Sequence, residues 1–184
     1  MVRLFIGLKL PGTYRQSITP LLTGLHSLTD ASMNWSKPDT WHLTLKFLGD
    51  TDEARIPAIR DALSDIEFPA FTMQAGGAGA FPNERQPRVI WLGLEQGAEA
   101  CTKLVAAFED GLDGFGVARE QKRFRPHLTL GRVRKPGPGN WQTLLDEAGA
   151  HQWPPFIVDG ITLWQSDLAP TGAVHTALQD FPLL

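Results

Sequence analysis

The chain has 184 residues, 42% of them hydrophobic, a net charge of −3 and a single cysteine, Cys101. That length and apolar content suit one compact domain over residues 1–184 and exclude a largely disordered chain. One cysteine excludes an intramolecular disulfide and a multi-cysteine metal site, and the acidic balance argues against a general nucleic-acid coating protein.

Val2 to Leu10 alternate, with Leu4, Ile6, Leu8 and Leu10 on one face, which predicts a half-buried strand. This apolar run is interrupted by Lys9 and stopped by Pro11. It is too short to cross a membrane and lacks a signal-peptide cleavage pattern, so a soluble, cytoplasmic protein, monomeric and without a membrane partner, is the expectation. Ile18, Leu21, Leu22, Leu25 and Leu28 then recur at helical spacing, with Pro20 expected to kink the helix or delay its start. Residues 41–48 read as a second strand. Ile56, Ile59, Leu63 and Ile66 form a helical stripe, entered near Thr51 or Asp52. Residues 68–74 and 88–94 read as strands on either side of a Gly-rich loop, residues 76–83, in which a bend or bulge is expected. That loop lacks the Gly-Lys-Ser/Thr ending of a phosphate-binding loop. Cys101, Leu104, Val105, Phe108 and Leu112 mark an amphipathic helix, ended by Gly114 and Gly116, on which Cys101 is a buried apolar residue. Residues 126–133 form a strand, 141–148 a short helix, and 156–164 and 174–181 two closing strands. Strands that follow one another without helices between them favour α+β with antiparallel pairing.

One pattern recurs. His42-Leu43-Thr44-Leu45 returns as His127-Leu128-Thr129-Leu130, nearly half the chain later. On a strand His42 shares a face with Thr44, and His127 with Thr129, about 6.5–7 Å apart at the usual rise. The leucines point the other way, into a core. Phosphodiester cleavage needs one proton removed and another delivered, and histidine titrates near neutrality. Threonine hydroxyls can donate to non-bridging oxygens where charge builds up. Two such strands facing each other across a cleft supply base, acid and anion donors. One His-Leu-Thr-Leu alone is an ordinary strand; two copies are not. Between Arg119 and Lys135, seven basic residues stand against one acidic, a net +6 that surrounds the second motif and marks an anion site.

The flanks carry a further similarity. Arg3-Leu4-Phe5-Ile6, Trp41 to Gly49, Gly79-Ala80-Phe81-Pro82, Pro87 to Gly93, Phe124 to Val133, Ser166-Asp167-Leu168 and Phe181-Pro182-Leu183 run nearly end to end. With the paired motifs, the chain resembles the two-histidine (2H) phosphoesterase superfamily, and within it the RNA 2′,3′-cyclic phosphodiesterase branch, also described as 2′-5′ RNA ligase-like. The resemblance implies a bilobal α+β fold, two antiparallel sheets forming a central cleft with helices outside. It implies metal-free hydrolysis of a terminal 2′,3′-cyclic phosphate on RNA or a nucleotide to a 2′-phosphomonoester, with no cofactor. It assigns His42 and His127 as the acid–base pair, His127 being favoured as base, and Thr44 and Thr129 as phosphate ligands. Ligation through the same cleft is the alternative reaction, and a non-catalytic RNA-end or nucleotide-binding module the alternative class.

The family's arginine after the second motif falls on Arg132. Strict alternation would put Arg132 on the face opposite His127, so a bulge or the strand end must turn it back. Arg125 shares the parity of His127 and is a lesser candidate. His175 stands where family members often carry tyrosine. A metal-dependent hydrolase is disfavoured, since neither motif offers His-x-x-x-His or paired-carboxylate spacing. His26 and His151 are expected at the surface. Most of the six tryptophans are expected in the core, with one or two at the cleft rim, and Phe5 is expected in the core, with the cleft wall as its alternative place.

Overall fold

In the computed structural model residues 1–169 and 172–184 are described; the side chain of Leu168 lies outside that set. Nine strands form two antiparallel sheets. The first, in order β3-β1-β8-β9, is built from β1 (Val2–Lys9), β3 (His42–Thr51), β8 (Gly160–Ala169) and β9 (Gly172–Pro182). The second, in order β2-β6-β5-β4-β7, is built from β2 (Ser32–Trp35), β4 (Phe71–Phe81), β5 (Val89–Gln96), β6 (Leu128–Lys135) and β7 (Phe156–Val158). Four helices lie against them: α1 (Gly12–His26), α2 (Ile56–Ser64), α3 (Ala98–Gly111) and α4 (Trp141–Ala150). Helices α2 and α3 meet β9 and β3 of the first sheet, and α4 meets β4 and β5 of the second. This is the expected α+β class with two antiparallel sheets. No helix among the described residues is long and apolar enough to cross a membrane.

The apolar face of β1 is buried as its alternation requires, with Leu4, Ile6 and Leu8 fully inaccessible. Cys101, Leu104 and Phe108 are equally inaccessible on α3. Helix α1 starts directly after Pro11 and runs through Pro20, so the expected delay does not occur. Asp52 accepts a hydrogen bond from the Ala54 amide and opens the 3₁₀ turn that leads into α2, as the expected position of that helix start implied.

Three expectations need correction. The Gly-rich segment is not a loop between strands. It lies inside β4, whose pairing with β5 jumps from Ala75↔Leu94 to Ala78↔Leu92, so Gly76 and Gly77 form a bulge. The Tyr14 hydroxyl of α1 accepts from the Ala75 amide at 3.0 Å and donates to the Pro154 carbonyl at 2.9 Å, satisfying a backbone donor beside the bulge. Residues 156–164 are not one strand. They divide at Asp159 into β7, paired with β4 of the second sheet, and β8, paired with β1 of the first. Strand β2, paired with β6, falls where no strand was expected, because its four residues are too few for their alternation to stand out.

One buried ion pair fixes the route of the chain towards the second motif. Lys46 Nζ lies 2.6 Å from Glu109 Oε1 on α3 and donates to the Ala118 carbonyl at 3.1 Å, with its side chain only 2% exposed. Glu109 also accepts from the Glu120 amide. The pair therefore anchors the segment between α3 and β6 to β3. Removing one partner strands a buried charge, which typically costs about 3–5 kcal/mol. Glu109→Ala should lower the unfolding free energy read from urea titration by an amount in that range, while Lys46→Met, which leaves the more exposed carboxylate, should cost less. Equal midpoints for wild type and Glu109→Ala would show the pair to be inert.

Candidate active site

Both histidines are set by the same local device. His42 Nδ1 lies 2.6 Å from the carbonyl oxygen of Thr40, and His127 Nδ1 lies 2.7 Å from that of Arg125, in each case two residues upstream. A carbonyl can only accept, so each Nδ1 carries the proton. Each ring therefore offers Nε2 for chemistry. His42 Nε2 lies 3.1 Å from Thr44 Oγ1, so the first motif's two polar groups do share a face.

The sheets are tied together at these motifs. Trp41 Nε1, immediately before His42, donates to the Thr129 carbonyl at 2.8 Å, and Ser36 Oγ donates to the same oxygen at 2.6 Å. The first motif is thus anchored to the backbone of the second. Leu43, Leu45, Leu128 and Leu130 are buried behind it.

Aromatic rings surround each imidazole. The His42 ring centroid lies 4.8 Å from Phe5, 5.9 Å from Trp164 and 5.0 Å from His175. His127 lies 5.2 Å from Phe81 and 6.2 Å from Trp91. Two glycines allow this close packing. A Cβ on Gly7 would come within 2.9 Å of the Leu43 carbonyl beside His42, and one on Gly79 would strike the Trp91 ring. Phe5 is both core and site, 1% exposed yet packed on His42. Trp164 and Trp91 are the tryptophans at the histidines, and Trp41 and Trp153 are core. His26 is exposed at the end of α1, as expected, whereas His151 is half-buried and its ring packs on Trp153.

Burial sets the acid–base properties. Desolvation pulls the His42 imidazole down to about 4, against the raising effect of the Thr40 carbonyl, with His175 and Arg132 lowering it further. His127 is lowered as well, first by desolvation and then by Arg132, again opposed by a carbonyl bond. Arg132 lowers both rings, so its charge is within electrostatic reach of each.

Its orientation has a simple cause. The pairing of β5 with β6 steps from Trp91↔Thr129 to Ile90↔Gly131, leaving one extra residue, Leu130, on β6. That bulge reverses the alternation. Arg132 pairs with Val89, which shares a face with Trp91, and Trp91 pairs with Thr129. Thr129 and Arg132 therefore face the same side, as the bulge option required.

Lys9 is a further cation that sequence reasoning missed. It pairs across the ladder with His42, but its Nζ lies 2.6 Å from Asp180, which also accepts from Thr162 Oγ1 at 2.6 Å. Its charge is compensated, whereas Arg132 has no ion-pair partner among the described residues. Nor do the described residues gather three or more His, Cys, Asp or Glu side chains into a metal-binding group.

Comparison with known proteins agrees with this geometry. The family model described as LigT like Phosphoesterase matches twice, over residues 8–91 and 92–175, one copy for each motif. The RNA 2′,3′-cyclic phosphodiesterase of Archaeoglobus fulgidus is 31% identical over 180 residues, 98% of this chain and 99% of that protein. That of Methanothermobacter thermautotrophicus is 32% identical over 99% of each chain. Among solved structures, E. coli LigT complexed with 3′-AMP superimposes with a TM-score of 0.77 at 27% identity, covering 99% of this chain and 98% of that one. With a family match over nearly its whole length and relatives of this similarity, the chain belongs to the LigT-like family of 2H phosphoesterases.

Proposed function

We propose that this protein is an RNA 2′,3′-cyclic phosphodiesterase that works without a metal, as one bilobal domain in which each sheet contributes a His-x-Thr pair. The observation that carries the reading is the matched pair of imidazoles, each with Nδ1 fixed on a carbonyl and Nε2 left for proton transfer, with Arg132 beside both. The names of the relatives support the substrate class.

In the proposed reaction one Nε2 takes a proton from water, whose oxygen attacks phosphorus. The P–O3′ bond breaks and the other imidazolium protonates O3′. The product is a 2′-phosphomonoester with a free 3′-hydroxyl. Thr44, Thr129 and Arg132 hold the non-bridging oxygens as charge grows on them. If a 5′-hydroxyl replaced water, the same displacement would give a 2′-5′ linkage.

Incubation of a 2′,3′-cyclic nucleotide with the protein in EDTA tests this. The expected result is full activity and a single 2′-phosphate product, identified by phosphorus NMR against both isomers. Activity lost to chelator and restored by a divalent cation would overturn the metal-free mechanism. Tight binding without turnover would favour the non-catalytic module.

A further inference from the structure

Lys9 and Asp180 stand beside the first histidine without a part in the proposed proton transfers. Lys9 lies directly opposite His42 in the ladder between β1 and β3, and residues opposite each other in an antiparallel pair share a face. Its Nζ sits 5.8 Å from the centre of the Trp164 ring, which in turn stacks on His42 at 5.9 Å. The ammonium is therefore on the site side of the sheet, next to the imidazole.

There it is held rather than free. Asp180 takes it with both carboxylate oxygens, at 2.7 and 2.6 Å, and Thr162 Oγ1 donates to the same carboxylate at 2.6 Å. Thr162 is 2% exposed and lies opposite Asp180 in the ladder between β8 and β9, so the carboxylate is tied to the sheet. Desolvation works against its ionisation, but the hydrogen bonds from Lys9 and Thr162 outweigh that effect and hold the Asp180 carboxyl below the usual carboxylate range. At neutral pH the two charges are both present and cancel. With side chains 49% and 63% exposed, such a pair adds little to stability.

The reaction gives the cancellation a consequence. A 2′,3′-cyclic phosphate carries one negative charge. Its product, a phosphomonoester with a second pKa of about 6, carries close to two at neutral pH. A cation at a given distance attracts the dianion with twice the energy of the monoanion, so the factor gained by the product is the square of the factor gained by the substrate. An uncovered ammonium beside His42 would tighten the product more than the substrate.

Resting on the cyclic phosphodiesterase reading, we propose that Asp180 sets the specificity of the site by cancelling the charge of Lys9, so that the cleft discriminates against dianionic phosphomonoesters in favour of the monoanionic cyclic phosphate. The product then leaves more readily, and RNA ends that carry an ordinary 2′- or 3′-phosphomonoester compete less well for the cleft.

The test compares two probes of nearly one shape by calorimetry at about pH 8, above the second phosphate pKa. One is 3′-deoxyadenosine 2′-phosphate, a dianion; the other is its methyl ester, a monoanion. Asp180→Asn uncovers the ammonium and should tighten the dianion about tenfold and the monoanion about threefold, in keeping with the square relation. Lys9→Met uncovers the carboxylate and should weaken both probes, the dianion again by the larger factor. Lys9→Met/Asp180→Asn has no charge at either position and should return both affinities close to wild type. Added salt should shrink the two single effects. A merely structural role for the pair predicts lost affinity in both single variants, with no change of sign. That pattern, equal factors for the two probes, unchanged affinities in Asp180→Asn, or persistence of its effect in the double variant overturns the proposal. Failure of the underlying activity has a different signature, absence of 2′,3′-cyclic AMP turnover by the wild type, and the binding comparison does not depend on it.

Discussion

His127→Ala and His42→Ala proteins are each expected to hydrolyse a cyclic-phosphate substrate roughly 10²–10⁴ times more slowly than wild type, the usual cost of losing a positioned acid or base. The expectation follows from the matched geometry. Each imidazole has its proton fixed on Nδ1 by a carbonyl, so each Nε2 has one job. The pH profile carries a sign. Burial lowers both rings from the ordinary 6.5, so kcat/KM, which reports the free protein, should peak on the acid side of that value. Its acid limb reflects protonation of the base, and its alkaline limb loss of the proton from the acid. Bound substrate brings a phosphate anion between the rings, which favours the imidazolium form, so the kcat profile should be displaced to higher pH. A substrate with sulfur in place of O3′ separates the roles, since a thiolate departs without a proton. The variant lacking the acid should recover on that substrate and the variant lacking the base should not. Wild-type turnover in either alanine variant on the oxygen substrate would end the two-histidine mechanism. Recovery of both variants, or of neither, on the sulfur substrate would end the division into acid and base.

The candidate site residues share a face legibly because they follow strand periodicity. His42 with Thr44 and His127 with Thr129 are two apart, and the leucines between them are buried as period two requires. What alternation cannot show is where it breaks. Arg132 reached the site face only through the extra residue at Leu130. Bulges leave no composition signal unless glycine marks them, as Gly76 and Gly77 do; there a bend or bulge was expected, but not that one strand runs through it. The split at Asp159 was hidden because Phe156 to Trp164 is apolar on both sides of it, and periodicity does not say which sheet a strand joins. Short β2 had too few residues to show a pattern, although Ser36 and Trp41, either side of the turn that follows it, tie the two motifs together. The ring contacts of Phe5, Trp91 and Trp164 depend on tertiary packing, so sequence could count the aromatics without assigning them.

Arg132→Leu should lower kcat about 10²–10³-fold, the scale seen when one donor to a developing anion is removed. The case rests on charge as well as direction. Lys9 also faces His42, but Asp180 neutralises it, so the uncompensated positive charge beside both imidazoles comes from Arg132. In the proposed displacement negative charge grows on the non-bridging oxygens as water adds to phosphorus. A cation beside them therefore stabilises the transition state more than the bound substrate, and its loss should fall on kcat rather than on KM. Arg132→Lys keeps the charge but loses the planar fork, so it should recover part of the rate and not all of it. The same substitution reports on the histidines. Arg132 depresses both, so its removal should move the acid limb of kcat/KM to higher pH, in the direction of 6.5. Had β6 kept strict alternation, Arg132 would lie on the far face, and its loss would change neither kcat nor the limb. A variant with wild-type kcat and an unmoved profile would mean that the bulge at Leu130 does not bring the guanidinium to the phosphate.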